Sequence, residues 1–64
     1  MTAVEAAVLL AIGSGPRASR AVVEDVARTQ GVNVGCAWAA LGVLVARRDV
    51  SVDSRGPVGL VKRV

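Results

Sequence analysis

The chain predicts a mainly α domain with a small β-hairpin: an α+β fold of three short helices followed by two strands. Three observations carry that prediction. Apolar residues recur at helical spacing in three stretches, each opened by a residue able to cap a helix and closed by a glycine or a basic pair. After Arg48 the period drops to two around a turn, Asp53-Ser54-Arg55-Gly56-Pro57, as in a hairpin. The 64 residues leave room for one domain, residues 1–64, with few positions outside these elements.

The first helix spans about Ala3 to Ile12. Thr2 and Glu5 fit a capping box, in which the Thr2 hydroxyl accepts from the Glu5 N–H and the Glu5 carboxylate reaches back to the Thr2 N–H. Val4, Val8 and Ala11 form its apolar stripe, which Ala7, Leu10 and Ile12 broaden, and Gly13-Ser14-Gly15-Pro16 breaks it. The second helix covers about Arg20 to Gln30, with Ser19 as N-cap and Gly31 as its stop. Val22, Val23, Val26 and Ala27 share one face; Arg20, Glu24, Asp25 and Arg28 share the other, where Glu24 and Arg28 are spaced for an i,i+4 pair. Asn33 caps the third helix, about Val34 to Ala46, whose core stripe is Ala37, Ala40, Leu41 and Leu44. Arg47-Arg48 suit the negative end of its dipole. The hairpin pairs about 50–53 with 58–63.

The apolar content of 53% is globular, but it consists of 11 Ala and 14 Val against five Leu, one Ile, one Trp and no Phe or Tyr. Small side chains remove little apolar area each, at roughly 25 cal/mol per Å². Such a core must pack closely or gain stability from a partner surface. The net charge is +3, and seven of the eight basic residues are Arg, which permits an anionic partner without requiring one. The longest apolar run, Val34 to Ala46, is 13 residues, short of the ~18–20 that span a bilayer. The opening Met1-Thr2-Ala3-Val4-Glu5 lacks the basic start of a secretory signal, and the expected location is the cytoplasm.

The order helix, helix, turn, helix, hairpin resembles the winged helix-turn-helix superfamily. Ala18-Ser19-Arg20-Ala21-Val22-Val23 is similar to the opening of that family's second helix, Gly31-Val32-Asn33 to its tight turn, Ala40-Leu41 to Leu44 to the core of its recognition helix, and Val50 and Val52 to its first wing strand. The resemblance implies a DNA-binding domain. Two departures matter. Arg48-Asp49 stands where the family usually places a Gly after the recognition helix. The family also reads bases with polar side chains on the outer face of that helix, whereas the outward positions here are Val34, Gly35, Trp38, Ala39, Gly42, Val43 and Val45. Only Trp38 carries a side-chain hydrogen-bonding group, and it is a donor alone.

Two candidate surfaces follow. Arg17, Arg20, Arg47, Arg48, Arg55, Lys62 and Arg63 are candidate DNA contacts, with Arg55 at the hairpin tip. They would hold phosphates, giving weak sequence specificity and a steep salt dependence; equally, they are the solvated charges that an apolar domain needs. Val34, Gly35, Trp38, Ala39, Gly42 and Val45 are a candidate protein interface. Trp38 would anchor it, or else fill a core poor in large residues. A helix apolar all round is normally buried all round, so self-association or a protein partner is expected.

Catalysis finds no support. There is no His, and Cys36 is the lone cysteine, so no cysteine cluster, no intrachain disulfide and no activated thiol are available. Cys36 reads as a small core or interface residue. The serines have no base partner, and Gly13-Ser14-Gly15-Pro16 lacks the Lys and spacing of a phosphate loop. No cofactor, metal or small-molecule substrate is expected. Three readings remain. The first is a winged-helix protein on double-stranded DNA, a transcriptional regulator or DNA-associated factor working as a dimer or larger assembly. The second is a winged-helix protein–protein module without nucleic acid. The third, a cationic membrane-active helix, is opposed by the five interspersed acids and the capped, turn-punctuated layout.

Overall fold

The structure, a computed structural model, describes residues 1–53 and 59–64. Its elements run α1 (Ala3–Ile12), β1 (Arg17–Ala18), α2 (Ser19–Gln30), α3 (Val34–Ala46), β2 (Val50–Asp53) and β3 (Leu60–Arg63). Three helices and a small antiparallel sheet make a winged-helix-like α+β topology. The expected turn around Arg55 and the expected strand start at Val58 lie outside the described residues.

Each helix is bounded by its local chemistry. In α1 both halves of the capping box form: the Glu5 N–H donates to Thr2 Oγ1 at 3.2 Å and the Thr2 N–H donates to Glu5 Oε1 at 2.9 Å. In α3 the Cys36 N–H donates to Asn33 Oδ1 at 2.8 Å. Ser19 is not the cap of α2. The helix starts on Ser19 itself, with Ala18 as an N-cap that offers no side-chain acceptor, while the Ser19 N–H donates to the Gly59 carbonyl at 2.9 Å. The Ser19 amide is thus drawn into the sheet. Gly31 ends α2 in the left-handed region (φ 65°), and the Val32 N–H donates to the Ala27 carbonyl. Helix α3 closes in the same geometry without glycine. Arg48 holds φ 66°, its N–H donates to the Val45 carbonyl, and the Asp49 N–H donates to the Leu44 carbonyl. An L-residue pays roughly 1–2 kcal/mol for that conformation, so the departure from glycine has a measurable energetic meaning.

The hairpin gains a third strand that periodicity did not predict. Strand order is β1-β3-β2, with Arg17 opposite Val61 and Ala18 opposite Leu60, and with Val50 opposite Arg63 and Val52 opposite Val61. Two residues are too few to show an alternation; β1 exists because distant β3 supplies its partners.

The core is Val8 and Ile12 from α1, Val22, Val23 and Val26 from α2, Ala37, Ala40, Leu41 and Leu44 from α3, and Val50 and Val61 from the sheet. Leu10 does not broaden the α1 stripe. It is 80% exposed, because it lies about 200° around the helix from both Val8 and Ile12; Leu9 packs on the core in its place. The accessible surface of 4010 Å² is near the ~3,800 Å² expected of a folded monomer of this mass. The core of one chain is thus built mainly from small side chains.

Candidate functional site

The helix-turn-helix is built by α2 and α3, which bend by 120° about Gly31–Asn33, inside the range such pairs adopt. The bend turns the inner stripe of α3 onto the core and leaves its other face outward. Trp38 is 41% exposed and outside the core, so it does not serve as the large side chain of a small-residue interior. Val34 (44%) and Val43 (38%) are exposed with it, as are Gly35, Cys36, Ala39 and Gly42. Cys36 is thus a surface residue rather than a core one. Val45 departs from the expected outward set: it is half-buried and packs against the core, since it sits only about 100° around from Leu44. No charge interrupts the exposed face over the 13 residues of α3.

The candidate basic residues differ in the partners they have. Arg17, on β1, turns its guanidinium back to donate to the Ala11 carbonyl. Arg20 lies 3.5 Å from Glu24, and Arg28 pairs with Asp25 at 2.5 Å. The expected Glu24–Arg28 pair is therefore replaced by two others. Arg20, Glu24 and Arg28 are largely exposed and Asp25 is half-buried, and pairs of this kind differ by only a few tenths of a kcal/mol, about 0.2–0.5 each. Arg47 reaches across the molecule, its Nη1 3.8 Å from Glu5 Oε1. Glu5 is 7% exposed, the sole buried polar residue among those described, and its carboxylate thus ties the end of α3 to the cap of α1.

Arg48, Lys62 and Arg63 make no ion pair or side-chain hydrogen bond among the described residues. Arg48 and Arg63 share a concave site with Met1, Leu9, Asp49 and Val64, on the α1 side of the molecule. Arg55 lies outside the described residues. The Arg48–Arg63 meeting was not anticipated from the sequence, although the hairpin register, Val50 opposite Arg63, already places Arg63 beside the α3–β2 turn.

No family model, curated protein or solved structure matches the chain. Among the described residues no single helix is long and apolar enough to cross a membrane, and α2 and α3 reach that length only as a pair bent by 120°.

Proposed function

We propose that this chain is a non-enzymatic winged-helix protein that binds double-stranded DNA through phosphate contacts, with little direct base readout. The observation that carries this reading is the 120° helix pair about the Gly31–Asn33 turn, followed by an antiparallel wing-like sheet. The start of α2 supports it: no side chain caps that helix, and Arg17 and Arg20 flank its first turn. The positive end of a helix dipole with arginines nearby in the chain favours an oxyanion, although the Ser19 N–H is already taken by the Gly59 carbonyl. Lys62 and Arg55, the latter outside the described residues, complete the proposed contact set. Of the other candidate contacts, Arg47 lies 3.8 Å from Glu5, and Arg48 and Arg63 line the concave site on the α1 side.

Fluorescence anisotropy with a random duplex tests this. Binding should weaken steeply with salt, and Arg20→Ala should reduce the slope of log affinity against log salt by about 0.9, one phosphate contact. Arg55→Ala should weaken binding further. No binding at low salt overturns the reading.

One observation favours a second reading, a protein–protein module without nucleic acid: the uncharged, exposed outer face of α3 around Trp38. Trp38 is the sole aromatic residue, so its emission reports directly on that face. A blue shift with rising protein concentration in the parent, together with growth in light scattering that Trp38→Ala abolishes while remaining folded, supports association. Concentration-independent emission from a monomer counts against association with a second copy.

A further inference from the structure

We propose that the cavity between α1, the α3–β2 turn and the end of β3 is a binding site for a small carboxylate bearing a short apolar tail. The cavity measures about 280 Å³ and is lined by Met1, Leu9, Arg48, Asp49, Arg63 and Val64. This is close to the lower end of ligand-pocket volumes, roughly 300–1,000 Å³, and suits a molecule of a few heavy atoms.

Its two cations come from separate segments held in place by backbone bonds. The Asp49 N–H donates to the Leu44 carbonyl at 3.0 Å, which fixes the turn that carries Arg48. The Val64 N–H donates to the Asp49 carbonyl at 3.1 Å, and Arg63 faces Val50 in the ladder, which brings the end of β3 against that turn. Arg20, Arg28 and Arg47 all have acidic partners, but neither Arg48 nor Arg63 has one among the described residues, even with Asp49 on the same rim. Two unpaired guanidiniums in a concavity are suited to a planar oxyanion, which they hold by paired N–H donors.

The lining narrows the class further. Counting the Met1 ammonium and the Val64 carboxylate with Arg48, Arg63 and Asp49, all on lining residues, leaves one positive charge in excess, which complements a monoanion better than a phosphate dianion. Leu9, Met1 and Val64 supply an apolar wall that a bare inorganic ion would leave unused. Arg48 holds a backbone conformation, φ 66°, in which glycine is at ease and a side chain is not.

The test is a ¹⁵N–¹H NMR titration of the full chain with butanoate, with inorganic phosphate and sodium chloride as parallel arms at equal ionic strength. Butanoate should produce saturable shifts of the Arg48 and Arg63 Nε–Hε resonances, at lower concentration than phosphate. Arg63→Gln and Arg48→Gly should each weaken butanoate binding at least tenfold. Arg48→Gly removes the guanidinium while relaxing the backbone, so it separates loss of the site from loss of the fold. The proposal is overturned by non-saturating shifts, by equal shifts in chloride, by phosphate binding as tightly as butanoate, or by folded variants that bind as the parent does.

Discussion

Helices α2 and α3 are neighbours of similar length across one tight turn, yet they treat their outer faces in opposite ways. Helix α2 buries Val22, Val23 and Val26 and turns Arg20, Glu24 and Arg28 to solvent. Helix α3 buries Ala37, Ala40, Leu41 and Leu44 and turns Val34, Trp38 and Val43 to solvent. The inner faces do the same work, closing a core of small side chains. The outer faces do not: in α2 charges make the solvent boundary, whereas in α3 no charge marks it. On the proposed winged-helix reading α3 is the element that would meet a partner; its uncharged face would offer shape and apolar area, and phosphate contact would fall to residues elsewhere.

Substitutions on the two faces should separate these roles. The largest effect belongs to the inner face of α3. Leu44 is fully buried, and Leu44→Ala should lower unfolding stability in urea by about 2–5 kcal/mol. At roughly 0.05–0.15 kcal/mol per residue, a domain of this size has little more than that to lose. A loss below about 1 kcal/mol would mean that α3 is not anchored as described. On the outer face of the same helix the sign reverses. A Cβ at Gly42 meets nothing within 4 Å, so Gly42→Ala should stabilise the monomer by up to about 0.8–1 kcal/mol through helix propensity. If the same variant instead loses stability, that face is already covered in solution and the contrast between the helices has to be redrawn. The smallest effect belongs to the outer face of α2, where Glu24→Ala should change stability by less than about 0.5 kcal/mol, since its pair with Arg20 is exposed.

Much of the fold was legible in the residues. Capping by Thr2, Glu5 and Asn33, the stops at Gly13 and Gly31, and the core stripes of α2 and α3 are local rules, each satisfied within four or five residues of the chain. The candidate sites were legible only as an inventory. Arg17, Arg20, Arg47, Arg48, Lys62 and Arg63 are visible as charges in any reading, but which of them are paired is not: Arg20 chooses among neighbours on its own helix, and Arg47 finds Glu5 across the molecule.

By itself, then, the sequence determined three helices, the caps of α1 and α3, the stops at Gly13 and Gly31, the alternation of Val50–Val52, and the absence of base-reading side chains on α3, because helical period, capping and residue type all act over short range. Only the tertiary structure decided four other features. Strand β1 forms because Leu60 and Val61 come back to Ala18 and Arg17. Arg47 is tied to Glu5 across 42 residues of chain. Trp38 stays outside the core because the 120° bend puts Leu44, not Trp38, against α1 and α2. Arg48 and Arg63 meet because the hairpin closes beside the α3–β2 turn. Each of these depends on long-range pairing or on which side of a helix the rest of the molecule occupies, and neither is encoded in local periodicity.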